Sequence, residues 1–266
     1  MLTHFSLFTG IGGLDLAAEW AGFTTVGQCE WADYPTKVLE KHWPDVPRWR
    51  DIRSVTKESF TEQTGLSTVD IISGGFPCQD ISVAGRQDGI EGERSGLWGE
   101  MCRVISEIRP KYALMENVAN LLVGEHGTWF GRVLGDLAEV GYDAEWNLIP
   151  AAIIGAPHIR ERIWILAYPA GIGRIVLQNK ETYDSARKCL PDNFKPGYRW
   201  KRETGRHSME RVGWTVEPGI CGSSYDVPYQ MDRLKCLGNA VVPQQAYPIF
   251  QAIADIENGI SLTSRR

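Results

Sequence analysis

The amino terminus constrains the fold most tightly. Thr3 to Phe8 reads as a short strand, Thr9-Gly10-Ile11-Gly12-Gly13 follows, and Leu14 to Trp20 repeats apolar residues at helical spacing until Gly22 stops it. A second strand, Thr24 to Glu30, comes next. That order is a βαβ unit, and its glycines let helix and strand pack closely and let the backbone approach a ligand. The spacing is not the Gly-x-Gly-x-x-Gly of dinucleotide sites. Glu30 stands about twenty residues after the first glycines, where a carboxylate can grip ribose hydroxyls. The plainer alternative is a tight turn and a surface glutamate.

The same logic recurs downstream. Val69 to Ile72 reads as a buried strand running into Gly74-Gly75-Phe76-Pro77-Cys78-Gln79. Glycine permits unusual backbone there, and Pro77 fixes its own φ and biases Phe76 towards an extended conformation. Cys78 is thereby expected on a stiff turn beyond the carboxyl end of a strand, where open α/β sheets bind ligands. Tyr112 to Met115 is another short strand, ending in Glu116-Asn117-Val118, so Glu116 should emerge at the same edge of the sheet. Between them, Gln79 to Gly96 is polar and glycine-rich, with Arg86 and Arg94, and too long for a routine connection; a lid over a substrate fits it. Leu97 to Arg109 is expected to be a helix stopped before Pro110, and Thr128 to Glu139 another, capped by Gly141.

Tyr142 to Pro150 and Ile163 to Tyr168 read as strands flanking a segment that contains His158, Arg160 and Arg162. The two arginines, two apart in extended backbone, are expected to point the same way. From Pro169 to Arg233 the periodicity dissolves, after which Pro243 can open a last helix, Gln245 to Asn258. The expected division is therefore residues 1–168 plus 235–266 as one α/β domain, with 169–234 as a small second one.

Composition narrows the class. At 266 residues, 43% apolar and 23% charged, the chain can bury a substantial core and is not of disordered type. No stretch approaches membrane-spanning length and no leader is recognisable, so a cytoplasmic protein without membrane contact is expected. The six cysteines lie far apart without metal-ligand spacing, so no metal is expected. The net charge of -5 is uneven: Tyr168 to Arg233 holds 11 Lys/Arg against 8 Asp/Glu, a local +3, leaving -8 for the rest. The densest basic cluster is Arg199, Lys201, Arg202, Arg206 and Arg211, interleaved with Tyr198, Trp200 and His207. Such a run is either a solvated face or a set of phosphate contacts.

Gly-Gly-Phe-Pro-Cys-Gln, with Cys78 as its thiol, resembles the nucleophile loop of the cytosine-5 DNA methyltransferases of bacteria and phages. Phe8-Thr9-Gly10-Ile11-Gly12-Gly13, Glu30-Trp31, Asp51-Ile52, Glu116-Asn117-Val118, Arg160-x-Arg162 and Cys236-Leu-Gly238-Asn239-Ala240-Val-Val242-Pro243 resemble the family's further motifs, in family order. His158 departs from the glutamine common there. The resemblance implies a Rossmann-like methyltransferase domain with a mostly parallel sheet and a small target-recognition domain. It implies S-adenosylmethionine as cofactor, contacted by Phe8, Gly10, Ile11, Gly12, Gly13, Glu30, Trp31, Asp51, Ile52, Pro77, Leu97, Asn239 and Ala240. It also implies Cys78 as covalent nucleophile at carbon 6 of cytosine, Glu116 at ring nitrogen 3, Arg162 on the ring oxygen and Glu116, and Arg160 as a positioning group. Gln79, Ser82, Arg94 and Asn117 would contact the substrate, double-stranded DNA, and a monomer is expected. Whether a separately encoded restriction endonuclease accompanies it stays open. An RNA cytosine methyltransferase and a silent DNA-binding relative are the alternatives; a hydride-transferring enzyme would need the longer glycine pattern.

Overall fold

A computed structural model describes residues 1–77, 96–154, 156, 159–172, 198–203, 206–211 and 230–260. The elements are β1 (Leu2–Leu7), α1 (Gly13–Trp20), β2 (Phe23–Cys29), α2 (Asp33–His42), β3 (Arg48–Trp49), α3 (Lys57–Thr64), β4 (Ile71–Gly75), α4 (Gly96–Ile108), β5 (Tyr112–Val118), α5 (Thr128–Glu139), β6 (Tyr142–Pro150) and β7 (Glu161–Pro169). A hairpin of β8 (Tyr198–Glu203) and β9 (Arg206–Arg211) and two helices, α6 (Gln230–Asn239) and α7 (Pro243–Glu257), complete the described chain. The main sheet has seven strands in the order β3-β2-β1-β4-β5-β7-β6. The first five are parallel, and β7 runs antiparallel to both β5 and β6. This is the mostly parallel α/β architecture that the amino-terminal βαβ pattern predicts.

Alternation along the central strands makes two cores. Phe5, Leu7, Ile72, Ala113, Met115, Ile163 and Ile165 face α4 and α5, whereas Ile71, Leu114, Trp164 and Leu166 face α1 and α7. Successive side chains of a strand point to opposite faces, so a strand covered on both sides must be apolar throughout. The last helix therefore returns to the first, on the face opposite α4. At the far edge of the sheet Lys111 bridges Asp70 (2.7 Å) and Glu257 (3.0 Å), and the Tyr112 hydroxyl donates to Glu257 at 2.9 Å, tying α7 to β4 and β5.

Three expectations change. The Gly74-Gly75 pair is not a turn: both residues lie inside β4, opposite Met115 and Glu116, and neither has a positive φ. Their lack of a side chain is a matter of space, since a Cβ on Gly74 would sit 2.7 Å from the Leu7 carbonyl oxygen and one on Gly75 2.9 Å from Glu116 Oε2. Phe8 is not the end of β1 but the first residue of the turn, with φ 51°. Arg160 is not in the extended backbone expected of it: it adopts φ 36°, just before β7.

Among the described residues no helix is long and apolar enough to cross a membrane. The basic cluster falls on the hairpin, where the register sets Arg199 opposite Glu210 and Arg202 opposite His207.

Candidate active site

The carboxyl ends of β1, β2, β4 and β5 share one edge of the sheet, and between β1 and β4 the strand order reverses. A crevice opens at such a switch point. Here it is a cleft of about 980 Å³.

Its first wall is the turn after β1. Thr9 ties this turn to β2, its N–H donating to the Cys29 carbonyl at 3.1 Å and its hydroxyl to the same carbonyl at 3.2 Å. Gly10 (φ 58°) then presents its N–H to Glu30 Oε2 at 2.7 Å, and the other oxygen of Glu30 accepts from the Ala32 N–H at 2.8 Å. Both carboxylate oxygens are thus oriented at the cleft, each with a lone pair left for a hydroxyl. A Cβ built on Gly10 would meet no protein atom within 4 Å, so the space above this turn is open. Phe8, Gly10, Ile11, Gly13, Glu30, Trp31, Asp51 and Ile52 all line the cleft, and Trp31 is 71% exposed there. Gly12 does not line it; Gly12 instead lies beneath the Trp43 ring, which a Cβ would approach to 2.5 Å.

The second wall is catalytic in character. Gly75 ends β4 and Phe76 and Pro77 follow it, and Glu116, within β5 rather than after it, stands beside Gly75. Arg162 Nε meets Glu116 Oε1 at 2.9 Å, with the two side chains only 18% and 12% exposed. Burial pushes the Glu116 carboxyl above its ordinary range, against the pull of Arg162 and Arg160. Asn117 lines the cleft too, but its amide nitrogen donates to Phe76 O at 3.1 Å and its oxygen accepts from the Val118 N–H at 2.8 Å. It braces the turn that leads to Cys78. Cys78, Gln79, Ser82 and Arg94, like His158 and all of the expected Gln79–Gly96 lid but Gly96, which opens α4, lie outside the described residues.

The third wall comes from the end of the chain. Asn239, the last residue of α6, and Ala240 after it line the cleft, as does Leu97 on α4, whereas Arg160 does not. Arg160 donates to Gly238 O (3.0 Å from both terminal nitrogens) and to Ala240 O (2.6 Å), so it clamps the returning segment while its charge acts on Glu116 from behind the cavity lining. Gln245, 1% exposed, reaches the Ile149 carbonyl at 2.6 Å and fastens α7 to β6. Gly13 allows the Val241 carbonyl in, since a Cβ there would lie 2.6 Å from that oxygen. The Arg160-x-Arg162 motif marks Arg160 as a positioning group but not its partners Gly238 and Ala240, and Gln245 carries no signal beyond its place after Pro243.

Residues 2–200 match the family described as C-5 cytosine-specific DNA methylase. The chain belongs to that family. Type II methyltransferase M2.BsuMI of Bacillus subtilis (strain 168) is 30% identical over 233 residues, covering 84% of this chain and 57% of that protein. Type II methyltransferase M.HhaI of Haemophilus parahaemolyticus is 32% identical over 167 residues, covering 63% and 49%. The chain thus spans about half the length of the relatives it matches. Among solved structures, S. pombe Dnmt2 methyltransferase superposes with a TM-score of 0.52 at 20% identity over 66% of this chain and 53% of that one, a likeness of fold. Family membership makes S-adenosylmethionine the group to test against the cleft. The residues fit it: open space over Gly10, an oriented Glu30 carboxylate, an exposed indole at Trp31 and the amino-terminal end of α1, whose free N–H groups favour a carboxylate.

Proposed function

We propose that this chain transfers a methyl group from S-adenosylmethionine to carbon 5 of a cytosine flipped out of double-stranded DNA. The observation that carries the reading is one continuous cleft, with the Gly10–Glu30 wall at one end and the Glu116–Arg162 pair beside Pro77 at the other. Pro77 is the residue before Cys78.

Carbon 5 of cytosine is a weak nucleophile. Bond formation between the Cys78 sulfur and carbon 6 moves the electron pair of the ring double bond to carbon 5, while ring nitrogen 3 takes up a proton or a strong hydrogen bond. Glu116 stands to supply that proton, since burial raises its pKa and Arg162 fixes its orientation. The cofactor supplies an electrophilic methyl group to carbon 5. A base then removes the carbon 5 proton, the double bond re-forms, and the Cys78 thiolate leaves. None of this is possible within a stacked duplex, so the base must be extruded at a cost of a few kcal/mol. Residues 169–234, with the basic hairpin, are assigned to DNA recognition and 1–168 plus 235–266 to cofactor and chemistry, in a cytoplasmic monomer.

A duplex carrying 5-fluorocytosine tests it, because fluorine cannot leave as the proton does. The protein should form an adduct stable to denaturing electrophoresis, and Cys78→Ser should form none while still binding S-adenosylmethionine. An adduct of equal yield in Cys78→Ser would remove the nucleophile assignment.

A further inference from the structure

Arg103 lies on α4, six residues after the cleft residue Leu97, and its guanidinium is fully engaged. Its Nε donates to Glu100 Oε2 at 2.8 Å, and Nη1 donates to Glu107 Oε1 at 2.8 Å and Val55 O at 2.9 Å. Nη2 donates to Ile52 O at 3.0 Å and pairs with Glu100 Oε2 at 2.8 Å. Glu107 in turn accepts the Lys57 N–H at the start of α3 at 3.2 Å. Two helix carboxylates therefore aim the fork, and the fork holds two carbonyls of another segment. A rigid planar group with five donors suits that task, and a lysine does not.

The segment it holds is the third strip of the cleft's first wall. Ile52–Ser54 is a single 3-10 turn capped by Asp51, whose carboxylate accepts the Arg53 N–H at 2.9 Å. Asp51 and Ile52 face the cleft. The Ile52 and Val55 carbonyls lie at the two ends of this turn, so whatever holds them sets where the Asp51 carboxylate stands. Arg103 itself does not line the cleft.

We propose that Arg103 is a positioning residue for the cofactor, holding the Asp51–Ile52 wall at its working distance from Glu30 and joining that wall to α4. The assignment rests on the S-adenosylmethionine reading above. α4 begins directly after residues 78–95, so this bond set connects the cofactor wall to the helix that bears Leu97 and follows the nucleophile segment.

The test is calorimetric titration of the full chain with S-adenosylmethionine, together with steady-state methylation of DNA. Loss of charge-assisted bonds of ordinary strength predicts that Arg103→Leu weakens cofactor binding and raises its KM by about tenfold to a hundredfold. At saturating cofactor, kcat and the KM for DNA should stay within about twofold of wild type. Arg103→Lys, which keeps the charge but cannot bridge both carbonyls, should fall between. Lys111→Ala, which removes ion pairs at the opposite edge of the sheet, should lower Tm without changing cofactor affinity. Wild-type affinity in folded Arg103→Leu overturns the assignment, as does a parallel change in kcat and both KM values. Should Arg103→Leu not fold, Arg103→Lys decides on the same readings. A wild-type protein that binds no S-adenosylmethionine would instead remove the methyltransferase reading itself.

Discussion

Glu116 and Arg162 form a close and largely buried ion pair on the cleft's second wall, and the chemistry asks for a carboxyl that can hold a proton. Burial raises the Glu116 pKa while the guanidinium keeps the group from being stranded as an unpaired charge. Glu116→Gln, which can hydrogen-bond ring nitrogen 3 but not protonate it, should lower kcat by about a hundredfold to ten-thousandfold in a methyl-transfer assay. The wild-type limb that falls as pH rises through the raised pKa should disappear in the same variant. A wild-type rate would leave Glu116 a structural role. Two further buried groups act on stability instead. His4, between Thr25 and Ser73, has its pKa lowered by burial from 6.5 to about 3, and Asp15, held by Gln28 and Ser6, has its own raised by burial from 3.8 to about 6. The depressed His4 contributes stability present above its unfolded pKa and lost as pH falls. The raised Asp15 contributes stability present below its unfolded pKa and lost as pH rises through about 6. Between about pH 4 and 6 the two slopes oppose and nearly cancel. Asp15→Asn removes one of them, so its stability relative to wild type should rise by roughly 3 kcal/mol from about pH 4 to about pH 7 in urea denaturation. An unchanged difference would mean that Asp15 titrates normally.

At the scale of elements, legibility followed the apolar stripe. The sequence reading of α5 and β6 agrees with the structure end to end, because each carries a full stripe or a bounding turn. The helices α2 and α3 were not anticipated: α3 buries only Phe60 and α2 only Pro35, Thr36 and Leu39, too little for a helical period to stand out. The antiparallel sense of β7 against β5 was equally invisible, since a strand buried on both faces reads the same in either direction. Gly74 and Gly75 show the same limit at closer range. Their presence was legible, but their reason is contact with atoms more than forty residues away. That reason separates two substitutions. Gly74→Ala drives a methyl group into the Leu7 backbone carbonyl and should destabilise the fold by about 1 to 3 kcal/mol in urea denaturation. Gly75→Ala meets only the end of the Glu116 side chain, which can move. It should therefore cost less stability and reduce methyl transfer by displacing Glu116 from Arg162. Equal effects of the two on stability and rate would contradict this packing account.

The whole molecule is closed by a return. β7 starts beside Val118 at the cleft edge and ends beside Ala113 at the other, so the chain leaves the sheet on the side away from the cleft. It re-enters at the cleft, where Asp232, Lys235 and Cys236 of α6 line the cavity, and α7 then packs on α1. The sequence revealed this only as a motif reappearing near the end of the chain; the clamp of Arg160 on Gly238 and Ala240 and the reach of Gln245 to Ile149 depend on contacts across the fold. If residues 169–234 choose the DNA and the remainder binds cofactor, the excursion is replaceable by any chain that spans the height of β7. Nine residues at about 3.3 Å each make that height about 30 Å. A flexible Gly/Ser linker of about 25 residues has an end-to-end distance of about 25–30 Å and should suffice in place of residues 173–229. The shortened protein should fold, bind S-adenosylmethionine with an affinity within a few-fold of the full chain's, and lose both sequence-selective DNA binding and methylation in gel-shift and bisulfite assays. Loss of cofactor binding in a folded product would show that the excursion belongs to the cofactor domain. Retained methylation of the same DNA sequence would place recognition elsewhere, and the segment between Gln79 and Gly96 would be next to test.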